Sequence, residues 1–227
     1  MDRLAPLIAV VGCDGAGKST LAGDLLAHLR KTRLAESGYL GLGSGPMGER
    51  IRAWPLIGPA VEGFFSKRAT RARDPKDKIP GLGTALVLYA FSLRRQHRFR
   101  RVTAMRRCGI VVVTDRYPQT EVSGFYDGPG LSAARADGWL VKKLVARERA
   151  IYQRMASFVP TLVLRLNVDV ETALARRPDH GADLLKAKVA VTPLLKFNGA
   201  RIVDLDATTP YDEEFALAQK AVAEVLG

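Results

Sequence analysis

Pro6-Leu7-Ile8-Ala9-Val10-Val11-Gly12-Cys13-Asp14-Gly15-Ala16-Gly17-Lys18-Ser19-Thr20 is the stretch that decides the fold of this 227-residue chain. Its first six residues are a continuous apolar run, the pattern of a parallel strand buried on both faces. Gly12 to Ser19 then fits G-x-x-x-x-G-K-[ST] without a mismatch. The glycines let the backbone curl so that successive N–H groups point inward at an anion. A helix opening at Lys18 adds its positive dipole end to the same anion. That helix is expected to run to Arg30, with Leu21, Leu25, Leu26 and Leu29 on one stripe. Strand, loop and helix in this order form a cradle for the polyphosphate of ATP, lined by Gly12, Asp14, Gly15, Ala16, Gly17, Lys18, Ser19 and Thr20. Lys18 is placed to reach the β- and γ-phosphates, and the Ser19 hydroxyl to ligate Mg²⁺.

Working outward, Ile110 to Val113 is a second buried strand, entered by Gly109 and closed by Asp115. A carboxylate there stands at the carboxyl edge of the sheet beside the phosphate loop and can hold Mg²⁺, directly or through water. The competing reading is an aspartate that merely caps a loop. Further strands are expected at Tyr39–Leu42, Leu162–Leu166 and Ile202–Leu205. Helices are expected near 54–69 and over Leu82–Arg107, Ala133–Met155, Val170–Arg176, Asp183–Lys196 and Asp212–Leu226. Strands alternating with helices predict an α/β fold: about five parallel strands, right-handed crossovers and helices on both faces. Ligands in such sheets bind beyond the carboxyl ends of the strands, here after Val11, Leu42, Val113 and Leu166.

Composition narrows the classes. Hydrophobic residues make up 47% and charged residues 26%, which excludes wholesale disorder, and the length suits one domain over 1–227. Cys13 and Cys108 are too few for a disulfide framework, and His28, His97 and His180 are scattered, so no zinc site is expected. No apolar run approaches the roughly 18 residues of a membrane span. Asp2-Arg3 followed by Leu4 to Gly12 imitates a short signal peptide, but cleavage would destroy the glycine loop, so a cytoplasmic chain is expected. The net charge of +12 fits nucleic acid, an anionic membrane surface or a site that handles polyphosphates, and charge alone does not choose among them; nucleic acid and membrane are not expected as partners. Neither N-K-x-D nor L-S-G-G-Q occurs, which argues against a GTPase and a transporter ATPase, and the size argues against a motor.

On the helix over Leu82–Arg107, Val87, Ala90, Phe91 and Arg94 share a face, so Arg94 extends an apolar, inward-looking stripe and needs an anionic or carbonyl partner. Arg95, Arg98, Arg100, Arg101, Arg106 and Arg107 are read as mostly solvated, some of them closing the helix C-terminus.

At this point the sequence resembles the thymidylate kinase family. The wording G-x-D-G-A-G-K-S-T matches from Gly12 to Thr20, and the family's Asp-Arg-Tyr stands as Asp115-Arg116-Tyr117. Arg94-Arg95-Gln96-His97 is similar to its R-x-Q-H, Leu164 to Arg177 to its strand, short helix and arginine-bearing lid, and Val203 to Ala207 to the stretch that passes the adenine. The resemblance implies a P-loop kinase fold and γ-phosphoryl transfer from ATP-Mg²⁺ to a nucleoside monophosphate, and it allows a homodimer. It places Asp14 near the acceptor's sugar or phosphate, and Arg116, Arg94 and Tyr117 on the acceptor. Arg176 and Arg177, in a lid at about 176–183, would close over the transferred phosphoryl.

The family's T-R-E-P-G-G-T loop is replaced by Gly43 to Arg52 within a loop-rich acceptor region, 43–80. There Arg50 or Arg52 takes the place of the lost arginine. All the departures lie on the acceptor side, which keeps two other readings open. One is a kinase of the same fold acting on a nucleoside or another small molecule. The other is a non-catalytic nucleotide-binding protein with a basic docking surface.

Overall fold

The computed structural model describes residues 4–41, 81–124, 126–133, 136–178 and 181–227. The helix expected near 54–69, Arg50 and Arg52, the end of the strand expected at Leu42, and Asp179 and His180 of the lid lie outside the described residues.

Five strands, β1 (Leu7–Gly12), β2 (Ala35–Ser37), β3 (Val111–Asp115), β4 (Leu162–Asn167) and β5 (Ile202–Asp206), form one parallel sheet in the order β2-β3-β1-β4-β5. Register is fixed on both sides of β1, with Ile8 opposite Val113 and Leu162, and Val10 opposite Asp115 and Leu164. β1 is therefore central, and at its carboxyl end its own chain leaves towards β2 while that of its neighbour β4 leaves towards β5, in the opposite direction. That is the crevice where such sheets bind ligands.

The helices are α1 (Lys18–Leu29), α2 (Gly81–Arg107), α3 (Trp139–Ala156), α4 (Val170–Arg176), α5 (Ala182–Val191) and α6 (Tyr211–Leu226). Alternate residues of the strands, Ile8, Val10, Val111, Val113, Leu162, Leu164 and Leu166, pack with Leu21 and Leu25 of α1 and Ala218 and Val222 of α6. On the other face Val112 meets Val102 of α2 around Gly38, where a Cβ would stand 2.7 Å from Val112 Cγ1 and 2.8 Å from Val102 Cγ2.

The chain divides into two compact units, one of residues 1–40, 98–117 and 158–227, the other of residues 41–97 and 118–157. The first holds the whole sheet. In the second, Ala85, Leu88, Leu131 and Val141 form a small apolar core. Among the described residues no helix is long and apolar enough to cross a membrane.

Three expectations about elements need correction. The second strand is Ala35–Ser37, ahead of the expected Tyr39–Leu42. It is a short edge strand with Glu36 and Ser37 exposed, so it lacks the apolar run that marks a central one. α3 begins at Trp139, because Gly138 takes a φ of 83° and separates it from a short 3₁₀ turn at Leu131–Ala133. α5 stops at Val191: Pro193 cannot donate to a continuing ladder, and the chain tightens into a 3₁₀ turn over Thr192–Leu194.

Candidate active site

The loop after β1 is shaped by contacts that side chains would prevent. A Cβ on Gly12 would stand 2.8 Å from the Leu166 carbonyl oxygen, and one on Gly15, at a φ of 88°, 3.1 Å from that of Ala173. Cys13 and Ala16 are buried beneath the loop, while Ser19 and Thr20 are exposed on the first turn of α1. Lys18 is buried and its Nζ donates to the Cys13 carbonyl at 2.5 Å, so the ammonium lies folded back over the loop.

Ser19 Oγ donates to Asp115 Oδ2 at 2.7 Å, which joins the start of α1 to the end of β3. The other oxygen, Asp115 Oδ1, is buried and has no hydrogen-bond partner among the described residues. An orphaned buried carboxylate oxygen is costly unless a ligand satisfies it. Mg²⁺ takes oxygen ligands and is usually held by one or two protein groups together with substrate phosphates. Ser19 and Asp115 fit that ion. Among the described residues no cluster of three or more His, Cys, Asp or Glu forms a cage of its own.

Arg116 adopts a φ of 98°, a conformation that costs a non-glycine residue about 1–3 kcal/mol. Its N–H donates to the Val10 carbonyl at 2.9 Å, and its own carbonyl accepts from Thr114 Oγ1 at 3.0 Å, so the turn is held from both sides. The result aims the guanidinium at the phosphate loop, where Nη2 meets Asp14 Oδ1 at 3.2 Å.

Asp14 is the focus of the site. Besides Arg116, its carboxylate receives Lys188 Nζ of α5 on Oδ2, and Lys18 Nζ lies 3.9 Å from Oδ1. Burial pushes the carboxyl pKa up, but the charges of Lys188, Lys18 and Arg116 outweigh it and hold the group well below the usual carboxylate range. Asp14 therefore stays ionised and gathers three cations at the mouth of the loop.

Lys188 is absent from the residues expected to act, although its position carried a signal. It stands three residues after buried Leu185 and four before buried Thr192, on the inward stripe of α5.

Arg176 ends α4, a helix capped by Asp169, whose carboxylate accepts from Thr172 N at 2.7 Å. The Arg176 guanidinium reaches two backbone carbonyls, Gly15 at 3.4 Å and Ala207 at 3.0 Å. Arg177 follows, with its stem beside Gly15.

Tyr117, expected against the acceptor, is a core residue at 1% exposure. Its hydroxyl donates to the Phe158 carbonyl, its ring meets Phe99 edge-on at 6.0 Å, and burial pushes its pKa up.

The second unit corrects the reading of α2. Along the part of α2 in that unit, the buried residues among those described are Ala85, Leu88, Ser92 and Arg95, while Ala90 is exposed and Arg94 half-buried. The inward stripe is thus one residue further on than expected, and in this stretch Arg95 rather than Arg94 is buried. It donates to the Asp127 carbonyl at 3.1 Å, to the Asp127 carboxylate, and to Tyr152 Oη at 3.2 Å. Arg106, at the other end of α2, is also buried rather than solvated and donates to the Ala5 carbonyl at 2.6 Å.

Glu148 of α3 is buried and accepts from Ser92 Oγ at 2.6 Å and from the Leu131 N–H at 2.7 Å. Gln119 ties the following loop through Val122 and the Tyr126 carbonyl. The residues after Tyr117 that depart from the thymidylate kinase pattern therefore build a loop of their own.

No protein-family model matches the chain. It is 44% identical over 220 residues to the uncharacterized ATP-binding protein YghR of Escherichia coli strain K12, covering 96% of this chain and 87% of that protein. YghS of the same strain, also an uncharacterized ATP-binding protein, is 42% identical over 221 residues, covering 97% and 93%. The thymidylate kinase of Thermomicrobium roseum is 32% identical over 186 residues, covering 79% and 70%. Among solved structures, a deoxyadenosine kinase from M. mycoides with dCMP and dCDP bound has a TM-score of 0.58 at 12% identity, covering 96% of this chain and 99% of that one. The fold is that of a P-loop nucleoside kinase.

Proposed function

The chain belongs to the family of the Escherichia coli ATP-binding proteins YghR and YghS, and on that premise we propose that it is a kinase moving the γ-phosphoryl of ATP to a nucleoside monophosphate. The observation that carries the proposal is the convergence of Lys18, Arg116 and Lys188 on Asp14, beside a Ser19–Asp115 pair with an unsatisfied carboxylate oxygen. A site that only held ATP would need the phosphate loop. This one adds cations from β3 and α5, the inventory of a reaction in which charge on migrating oxygens must be neutralised.

In the reaction an acceptor oxygen forms a bond to the γ-phosphorus, the bond to the β-γ bridging oxygen breaks, and ADP leaves. Lys18 would hold the β- and γ-phosphates, and the loop's backbone N–H groups would hold the rest of the polyphosphate. Arg116 would hold the acceptor's own phosphate in line, and Asp14 would orient the acceptor while keeping the cations in place. Ser19 and Asp115 would hold Mg²⁺, which on binding shields the charge between the β- and γ-oxygens.

The thymidylate kinase from Thermomicrobium roseum favours a monophosphate acceptor. The likeness to a deoxyadenosine kinase favours a second reading, a nucleoside acceptor. ADP release from ATP-Mg²⁺, measured against a panel of nucleosides and nucleoside monophosphates, separates the two. A monophosphate that raises turnover at least about a hundredfold over acceptor-free ATP hydrolysis is the expected result. Turnover on nucleosides alone moves the assignment to the second reading, and no turnover on any acceptor sinks both.

A further inference from the structure

Lys188 is the cation of the site that neither the phosphate-loop motif nor the Asp-Arg-Tyr motif supplies. It comes from α5, and its side chain is 13% exposed against 12% for Asp14. Its Nζ sits on Asp14 Oδ2, while Arg116 and Lys18 approach Oδ1 of the same carboxylate, at 3.2 Å and 3.9 Å. The two oxygens of one carboxylate are about 2.2 Å apart, so all three cations lie within reach of a single phosphate group. Crowding three cations, one buried and two half-buried, around one carboxylate is costly, and a polyanionic ligand offsets that cost. Asp14 marks the place where the three positive ends meet.

We infer that Lys188 is a ligand of the terminal phosphate of bound ATP, a cation that exchanges its contact with Asp14 for the phosphate that Lys18 holds. The inference rests on the reading of the site as an ATP-phosphate site. A lysine suits the role: an ammonium on a flexible stem with three rotatable donors can pass from a carboxylate to a phosphate oxygen without moving its helix. The competing role is a latch that holds α5 on the phosphate loop through Asp14 and touches no nucleotide. The two roles differ in what they do to nucleotide discrimination. A latch supports ATP and ADP binding alike, whereas a ligand of the terminal phosphate supports ATP alone.

The test is calorimetric binding of ATP and ADP, each with Mg²⁺, to the full chain carrying Lys188→Ala, Lys188→Met, Lys188→Arg or Lys186→Ala. Lys186 is exposed on the same helix and serves as the control. Removing a charge-assisted contact to a phosphate is expected to cut the preference for ATP over ADP by about tenfold to a hundredfold in Lys188→Ala. ADP affinity should stay within about threefold, Lys188→Arg should keep most of the preference, and Lys186→Ala should keep all of it. Lys188→Met keeps the stem and its packing, so it serves if the alanine variant does not fold. Equal losses for ATP and ADP overturn the inference in favour of the latch. An unchanged ATP preference with a raised KM for the phosphate acceptor overturns it in favour of the acceptor's phosphate. Failure of the wild-type chain to bind any adenine nucleotide removes the ATP reading itself, and the inference with it.

Discussion

Each compact unit buries a carboxylate, and the two surroundings drive it in opposite directions. Asp14, in the first unit, is ringed by Lys188, Lys18 and Arg116 and is held well below the ordinary range. Glu148, in the second, is met by neutral donors: the Ser92 hydroxyl and backbone N–H groups at Leu131, Gly130 and Ser132. Burial there outweighs the hydrogen bonds and pushes the group up. The pair separates two uses of a buried charge. Cations gathered on a carboxylate can be handed to an anionic ligand. Neutral donors gathered on a carboxylate tie Glu148 to the backbone at Leu131 and to α2 through Ser92. The first unit therefore gathers exchangeable positive charge at Asp14, whereas the second uses buried charge as architecture at Glu148 and Arg95.

The comparison breaks most decisively at Lys18. Lys18→Ala should lower kcat on the best acceptor by about a hundredfold or more, because a preorganised charge partner of the transition state is lost. Its midpoint of thermal unfolding should stay close to that of the wild type. A folded variant within tenfold of wild-type turnover would show that the convergence on Asp14 does no chemistry.

Arg95 tests the other side. Its side chain is fully buried against Asp127 and Tyr152, and removing one partner of such a pair costs about 3–5 kcal/mol. Arg95→Ala should lose that much stability in urea unfolding, while the folded protein keeps its ATP affinity. A variant that stays stable but loses tenfold or more in ATP affinity would turn Arg95 from a strut into a ligand.

The pH dependence of stability distinguishes the two carboxylates. Asp14 has a folded pKa below its unfolded one, so it contributes stability above the ordinary aspartate value that is lost as pH falls towards the lowered one. Glu148 has the opposite sign. Its protonated form is favoured on folding, so its contribution is most favourable below the ordinary glutamate value and declines as pH rises through the raised one. Glu148→Gln removes that titration and leaves the Leu131 N–H facing an amide, at about 1–3 kcal/mol. Its deficit relative to wild type, measured by urea unfolding, should be larger at pH 4.5 than at pH 8. A deficit that grows with pH would reverse the sign assigned to Glu148.

The donor side was legible because its geometry is local. Gly12 to Ser19 is one contiguous segment whose glycines and helix start impose the loop, and Asp115 follows from a strand ending. The inward face of α2 was less legible because it depends on the rotation of a helix. A shift of one position on α2 exchanges Arg94 for Arg95, and an Arg-rich helix offers no apolar contrast to decide between them. Tyr117 was misplaced for a related reason. Asp-Arg-Tyr names three adjacent residues, but the turn at Arg116, with its φ of 98°, sends Tyr117 into the core while Arg116 faces the loop. Lys188 carried a periodic signal, yet its partner lies 174 positions away in sequence, a pairing that only the fold reveals.

The smallest expected effect concerns Arg176, where the structure sharpens the expectation that it closes over the migrating phosphoryl. Its guanidinium donates to the carbonyls of Gly15 and Ala207, tying the outer turn of the phosphate loop to the chain leaving β5. Both partners are backbone groups, so in this arrangement Arg176 braces the loop. An interaction that supports bound ATP equally in the ground state and the transition state changes KM and leaves kcat alone. Two charge-assisted bonds of this kind, one exposed and one part-buried, contribute about 0.5–1.5 kcal/mol, so Arg176→Ala should raise the KM for ATP about twofold to tenfold. Turnover at saturating ATP should stay within about threefold, whereas an arginine that meets the phosphoryl only in the transition state would lower kcat by about a hundredfold. Steady-state kinetics on Arg176→Ala and Arg177→Ala, run side by side, decide which holds. A large loss of kcat in the first variant means that Arg176 leaves both carbonyls during turnover and acts as the lid arginine, and the same loss only in the second assigns that role to Arg177.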